Sequence, residues 1–215
     1  MLYVSRLWLN PRSRQAMAEV ANPYNLHRTL TRALSDGEEY LLARLLFRVE
    51  DRMESRTPWL LVQTLCPPDW GYLAEHPGYL LRPVEEKSVE PAVRQGQRWR
   101  FRLRANPTKR LPGRQAVDAA GKMKDGPRVQ LFHEEDQLAW LARQGAQHGF
   151  ALVGCQVSGV EMQHSRKAIG PEMHHQAVTF DGLLQITDLA AFRMALEGGI
   201  GPGKGLGFGL LSVAR

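Results

Sequence analysis

The sequence predicts an α+β fold made of two tandem βαββαβ units, and three observations carry that prediction. Short runs with period-2 alternation, such as "RWRFRLR" at 98–104, are interleaved with helical stretches such as "HEEDQLAWLARQGAQHG". The second half of the chain reads strand, helix, strand, strand, helix, strand. The first half fits the same order once the apolar run "LLARLLFRV" is taken as a strand.

"LYVSRLWLN" alternates and predicts the first strand. Asn22-Pro23 then gives a helix start, with Asn as N-cap and Pro at the first helical position. That helix is predicted to run through "YNLHRTLTRALSDG" and stop near Gly37. "EEYLLARLLFRVE" follows, then "PWLLVQTL" as a strand, "PPDWGYLAE" as a short turn or helix, and "GYLLRPV" as another strand. "EEKSVEPAVRQGQ" is polar and contains Pro and Gly, so it is read as the boundary between units at 1–90 and 91–215.

In the second unit "RWRFRLRANPTKR" is predicted as a strand. "HEEDQLAWLARQGAQHG" is a helix whose buried stripe is Leu138, Leu141 and Ala142. "FALVGCQVSGVEMQ" and "HQAVTFDGLLQIT" are strands joined by an exposed hairpin tip, "HSRKAIGPEMHH". "DLAAFRMALEGG" is helical and "GFGLLSVAR" is the last strand. Helices on one face of an antiparallel sheet leave the other face free for RNA, as in RNA-recognition modules. Fold alone does not settle function.

The 215 residues are 43% hydrophobic and 23% charged, the balance of an ordinary globular chain. No apolar run approaches the ~20 residues of a transmembrane helix, and no charged leader precedes a long apolar stretch, so no membrane or secretory role is expected. Cys66 and Cys155 are far apart and lack a C-x-x-C pattern, which fits buried thiols in a reducing cytoplasm better than a disulfide frame or zinc site. Net charge is +6, and the excess is uneven. Arg94, Arg98, Arg100, Arg102, Arg104, Lys109, Arg110 and Arg114 occur with no Asp or Glu among them. Such a segment attracts polyanions.

Within that segment Trp99, Phe101 and Leu103 point to a core, and Arg98, Arg100, Arg102 and Arg104 form a row on the opposite face. Neighbours in the row are roughly 6.6 Å apart, near the spacing of successive phosphates. Two readings stay open: a polyanion surface, or a charged face whose arginines pair with carboxylates on a neighbouring strand.

The tail "GGIGPGKGLGFG" invites a nucleotide-binding reading, because Gly198, Gly203 and Lys204 match G-x-x-x-x-G-K. Gly205 then stands where Ser or Thr would hold magnesium. A P-loop also follows a strand and opens a helix, whereas this segment follows a helix and leads into a strand. Gly203 and Lys204 are left as a candidate phosphate or RNA contact, or as a tight connection that lets helix and strand pack closely.

On the first predicted helix Leu26, Leu30, Ala33 and Leu34 cluster on one side at ~100° per residue. His27 lies just off that stripe, with Tyr24 and Thr31 at i−3 and i+4 and Arg28 and Arg32 further round. The ordinary alternative is a boundary histidine with a purely structural role. RNA, however, carries its own nucleophile. Scission needs the 2′-hydroxyl deprotonated, the 5′-oxygen protonated and the phosphorane stabilised. A histidine titrating near neutrality moves either proton, and Arg28, or a lysine from another element, holds the phosphate. Scattered acidic residues offer no cluster for two metal ions, and His174-His175 is a weak metal hint in a loop.

Three segments in this order, "NPYNLHRTL", "RFRLRANPTKR" and "GGIGPGKGLGFGLLSV", resemble the CasE family of CRISPR repeat-processing endoribonucleases in the RAMP superfamily. The resemblance runs from "LWLN" to the C-terminal strand. It implies two ferredoxin-like domains and metal-independent, cofactor-free cleavage of CRISPR precursor RNA at the base of the repeat hairpin. It further implies a 2′,3′-cyclic phosphate and retention of the product as a subunit of the Cascade complex. In that pattern His27 is similar to the catalytic histidine and Tyr24 to its partner. Arg28 and Arg32 fall at RNA-contacting positions, and Lys109 and Arg110 fall in the basic groove. Arg102, Arg104, Gly203 and Lys204 complete the expected RNA-binding set with Arg166 and Lys167, the only Arg and Lys of a hairpin tip that is often more basic in the family. "AVDAAGKMKDGPRVQLF" matches no family motif. The alternative within the superfamily is a non-catalytic RNA-binding subunit.

Overall fold

The computed structural model describes residues 1–34, 44–50, 57–111, 126–167 and 171–215. The first unit runs β1 (Leu2–Trp8), α1 (Arg14–Ala21), α2 (Pro23–Thr31), β2 (Leu46–Glu50), β3 (Trp59–Thr64), a 3-10 turn (Gly71–Glu75) and β4 (Glu85–Val89). The second runs β5 (Arg98–Ala105), β6 (Thr108–Arg110), β7 (Arg128–Gln130), α3 (Glu134–Gln147), β8 (Phe150–Ser165), β9 (Met173–Ile186), α4 (Leu189–Gly198), a 3-10 turn (Lys204–Leu206) and β10 (Leu211–Ala214).

The two main sheets are ordered β2-β3-β1-β4 and β10-β5-β9-β8, with every neighbouring pair antiparallel. Counted within each unit, these are the same order read from opposite edges. The fold is therefore α+β with two ferredoxin-like domains, as the element order predicts. Each unit has its own core. Leu7, Leu26, Leu30, Phe47 and Leu60 fill the first, and Phe101, Leu103, Phe180, Phe192 and Leu211 the second. Each fully buried leucine side chain contributes about 2 kcal/mol of apolar burial. Leu2 of β1 belongs to the second core, and Gln63 of β3 donates to the Leu196 carbonyl at 2.7 Å, so the units are packed together.

Several sequence expectations need correction. Helix α1 was not foreseen; it is short, and its clearest local signal is Ser13, whose hydroxyl accepts from the Ala16 N–H. Helix α2 ends at Thr31, and Gly37 lies outside the described residues. "GYLLRPV" supplies only one bridge, Leu9 to Leu80, while its Tyr79 is buried with its hydroxyl donating to Glu19 at 2.6 Å. The fourth strand is β4, inside the stretch read as a boundary. Its Glu85, Glu86 and Lys87 are the charged residues of an edge strand, which an apolar pattern search passes over.

"RWRFRLRANPTKR" breaks at Asn106-Pro107, so Lys109 and Arg110 sit in a separate ribbon formed by β6 and β7. The buried stripe of α3 is Gln137, Trp140, Leu141 and Gly145; Ala142 is exposed. His174 and His175 are on β9, because the β8–β9 ladder continues to Ser165 opposite Met173. Tip residues 168–170 lie outside the described set. Cys66 and Cys155 are free thiols. Among the described residues no helix is long and apolar enough to cross a membrane.

Candidate active site and nucleic-acid interface

Helix α2 is where the two units meet. Pro23 pre-sets its first turn, and Leu26 and Leu30 anchor it in the first core as the sequence predicts. Asn22 holds the N-cap position but makes no capping bond with its side chain. Its Nδ2 donates to the Arg166 carbonyl at 2.9 Å, and its Oδ1 accepts from the Arg166 N–H at 3.1 Å. This paired clip ties the end of β8 to the start of α2. Lys167, next in sequence, then lies with its ammonium 5.8 Å from the centre of the Tyr24 ring.

His27 is half-buried, with its ring centre 6.2 Å from that of Phe47 on β2. Its other neighbour is the glycine-rich connection. A Cβ placed on Gly205 would lie 3.5 Å from His27 Nε2, an ordinary van der Waals distance, so the imidazole lies beside the Gly205 backbone. Burial pushes the His27 pKa below its ordinary 6.5, favouring the neutral ring.

The connection itself is pinned from two sides and closed by a bond of its own. Gly209 N–H donates to the Arg104 carbonyl at 2.8 Å, Ile200 N–H to the Gly209 carbonyl at 2.9 Å, and the Gln163 side-chain amide of β8 to the Leu206 carbonyl at 2.8 Å. Gly203 opens the 3-10 turn with φ of 81°, and a side chain there would strike the Phe208 ring at 2.7 Å. The segment thus follows a helix and passes through a 3-10 turn into β10, not from a strand into a helix as a P-loop does. Lys204 is half-buried; burial first, then repulsion from Arg44, lowers its pKa.

The other expected RNA-binding residues divide into groups. Arg28 is exposed, and with Arg32 it lines a depression of about 560 Å³ between α1 and α2, round the helix from His27. Arg32 is engaged locally: its guanidinium stacks on Tyr72 at 4.5 Å and approaches Glu75 at 3.6 Å. Lys109 and Arg110 are exposed on β6, and Arg166 is exposed beside Lys167.

The arginine row divides into exposed and paired members. Arg98 and Arg100 are exposed and have no ion-pair partner among the described residues. Arg102 instead makes two bonds to Asp181, directly opposite on β9, at 2.8 and 3.0 Å, and a third to Glu50 of β2 at 3.1 Å. Arg104 is buried and bonds Glu161 at 2.8 Å. Beside them Arg48 of β2, 3% exposed, meets Glu50 and donates to the carbonyls of Arg102 and Leu210 and to the Ser212 hydroxyl. Arg48, Glu50, Arg102, Arg104 and Glu161 line a cleft of about 650 Å³ between the units that also includes Pro23, Gln163 and His164.

Sequence reasoning passed over Asn22 as a clip, Gly205 as the seat of His27, and Arg48 as a bridge between sheets. Only Arg48 carried a local signal, a lone cation in the apolar run that became β2. Its partners are 54 to 164 residues away apart from Glu50.

Comparison with known proteins finds likeness over nearly the whole chain. The family model described as CRISPR associated protein matches residues 2–215. CRISPR-associated endoribonuclease Cse3 of Thermus thermophilus is 40% identical over 224 residues, covering 99% of this chain and 100% of that protein. CRISPR system Cascade subunit CasE of Escherichia coli is 35% identical over 136 residues, covering 61% of this chain and 65% of that protein. The structure of Thermus thermophilus Cse3 bound to an RNA representing a pre-cleavage complex has a TM-score of 0.84 at 41% identity, covering 100% of this chain and 99% of that one. With the family model spanning nearly every residue and these relatives on the same two-unit frame, the chain belongs to the CasE (Cse3) family of CRISPR-associated proteins.

Proposed function

We propose that this chain is an endoribonuclease that cuts CRISPR precursor RNA at the base of the repeat hairpin and keeps the product as a Cascade subunit. One observation carries the reading. A half-buried imidazole on α2 lies against the glycine-rich connection, one turn from a tyrosine faced by a lysine of the other unit. The reading is supported by the full-length likeness to a Cse3 endoribonuclease solved with pre-cleavage RNA. A relative named as a Cascade subunit supports the partner assignment.

In this mechanism His27, held neutral by burial, takes the proton from the 2′-hydroxyl as general base. The resulting alkoxide attacks the adjacent phosphorus, and the bond from phosphorus to the 5′-oxygen breaks. That oxygen, oriented by Tyr24, takes a proton from solvent water and leaves as a hydroxyl, His27 returns its own proton to solvent, and the other fragment ends in a 2′,3′-cyclic phosphate. Lys167 and the exposed arginines hold the non-bridging oxygens and the flanking backbone. These side chains supply proton transfer and charge stabilisation, so the reaction runs without a metal ion. A hairpin stem is read through its backbone and shape, so affinity falls steeply with added salt.

The test is cleavage of a repeat hairpin in chelator and without nucleotide, under single turnover. Wild type is expected to cut. His27→Ala is expected to lose about 10²- to 10⁴-fold in rate while still binding RNA, and a 2′-deoxy substitution before the cut abolishes cleavage. A base must be neutral, so the wild-type rate is flat above pH 6.5 and declines as pH falls through the lowered pKa of His27. Equal cutting by both proteins sinks the assignment of His27. Binding by both with cutting by neither favours the non-catalytic subunit.

A further inference from the structure

The β8–β9 hairpin carries a group of side chains that the cleavage mechanism does not use. His164 and His174 face each other directly across the ladder, with ring centres 4.7 Å apart. Glu172 stands two residues before His174, just ahead of β9. Its Oε1 lies 3.4 Å from His164 Nδ1. One ligand atom from each of the three lies within 4.8 Å of the other two. We propose that His164, Glu172 and His174 form a binding site for a divalent transition-metal ion, Zn²⁺ foremost.

The geometry is close to what such an ion requires. Zinc binds imidazole nitrogen and carboxylate oxygen at about 2.0–2.2 Å, which places neighbouring ligand atoms of a tetrahedron about 3.4 Å apart. The His164–Glu172 separation already has that value. Separations in the group reach at most 4.8 Å and so need to close by up to about 1.4 Å, within the rotamer freedom of exposed side chains. All three are exposed, so water has access to the fourth position. Two imidazoles and one carboxylate suit Zn²⁺, Ni²⁺ or Cu²⁺ and suit Mg²⁺ poorly, since that ion prefers an all-oxygen octahedron.

The backbone beneath the ligands is held on both sides. The ladder continues through Ser165 opposite Met173 and through Gln163 opposite His175, and Asn22 clips the Arg166 backbone one step further on. An ion there would cross-link the two strands just before the segment that delivers Lys167 to Tyr24. The bland alternative is an ion pair between His164 and Glu172 that forms only when the ring is protonated.

The experiment uses tag-free full-length protein, stripped with chelator and free of RNA. Calorimetric titration with Zn²⁺ alone is expected to give one equivalent of binding, with none for Mg²⁺. Co²⁺ is expected to give the intense visible bands of four- or five-coordinate cobalt. His174→Gln and His164→Gln each weaken Zn²⁺ binding at least tenfold and remove those bands, while His133→Gln, at the start of α3, changes neither. Circular dichroism verifies that each exposed-site variant is folded. Absence of one-equivalent binding in the wild type overturns the proposal. Unchanged Zn²⁺ affinity in the double variant His164→Gln/His174→Gln, or an equal loss in His133→Gln, overturns it too. Because binding is read without RNA or turnover, failure here is distinct from failure of the cleavage reading.

Discussion

Two cationic regions of this molecule look alike in the sequence and differ in what surrounds them. On β5 and β2, Arg102, Arg104 and Arg48 are matched by Asp181, Glu161 and Glu50, and Arg48 also donates to two carbonyls and a hydroxyl. At α2 and the end of β8, Arg28 and Lys167 are exposed and have no ion-pair partner among the described residues. In the first set Arg102 and Arg48 join the two sheets, through Glu50 and the carbonyls of Arg102 and Leu210, while Arg104 is paired within the second sheet. The second is available to a ligand. Charge counted along a chain is therefore not charge offered to RNA; the difference lies in carboxylates that only folding brings near.

The sharpest way to break this contrast is to remove Arg48. Arg48→Met leaves Glu50, 12% exposed at its side chain, short of one cation and strips donors from two carbonyls. Unfolding in urea is expected to show a loss of about 3 kcal/mol, the scale for breaking a buried pair. A loss below about 1 kcal/mol would mean that the cluster does not bind the units together. Next in size is a paired comparison in RNA binding. Lys167→Gln is expected to reduce the slope of log affinity against log salt by about 1, whereas Arg102→Gln leaves the slope unchanged. The opposite pattern would reverse the division drawn above.

The smallest effect concerns pH. Burial alone would raise the Asp181 carboxyl, but hydrogen bonds from Arg102 and Ser158 bring it below its ordinary value of 3.8. The unfolded chain then binds that proton more tightly than the folded one. The contribution of Asp181 is thus complete above about pH 4 and is lost as pH falls through the folded value. Acid unfolding curves of wild type and Asp181→Asn are expected to converge below pH 4 and to separate by less than about 1 kcal/mol at neutrality, since Arg102 is half-exposed.

Legibility followed the range of the interaction. The α2 stripe of Leu26 and Leu30, the alternation of Phe101 and Leu103, and the mismatch of the glycine segment to a P-loop are all local, and all were readable. Helix α1 has eight residues and a single cap as its signal, so it was missed. Strand β4 was taken for a boundary because its charges suit an edge. On α3 Leu138 and Leu141 face the core as expected, but Ala142 is exposed and Trp140 and Gln137 complete the inward face, the latter donating to the Leu131 carbonyl.

The sequence alone determined the βαββαβ order of the second main sheet and its helices, the helix that presents His27 and Tyr24, and the run of basic residues from Arg94 to Arg114. Each depends on periodicity or spacing within one element. Tertiary structure decided that Gly205 seats His27, that Asn22 clips Arg166, and that Arg102 and Arg104 are neutralised while Lys167 reaches Tyr24. These contacts join residues dozens to more than a hundred positions apart, and no local pattern encodes a partner at that distance.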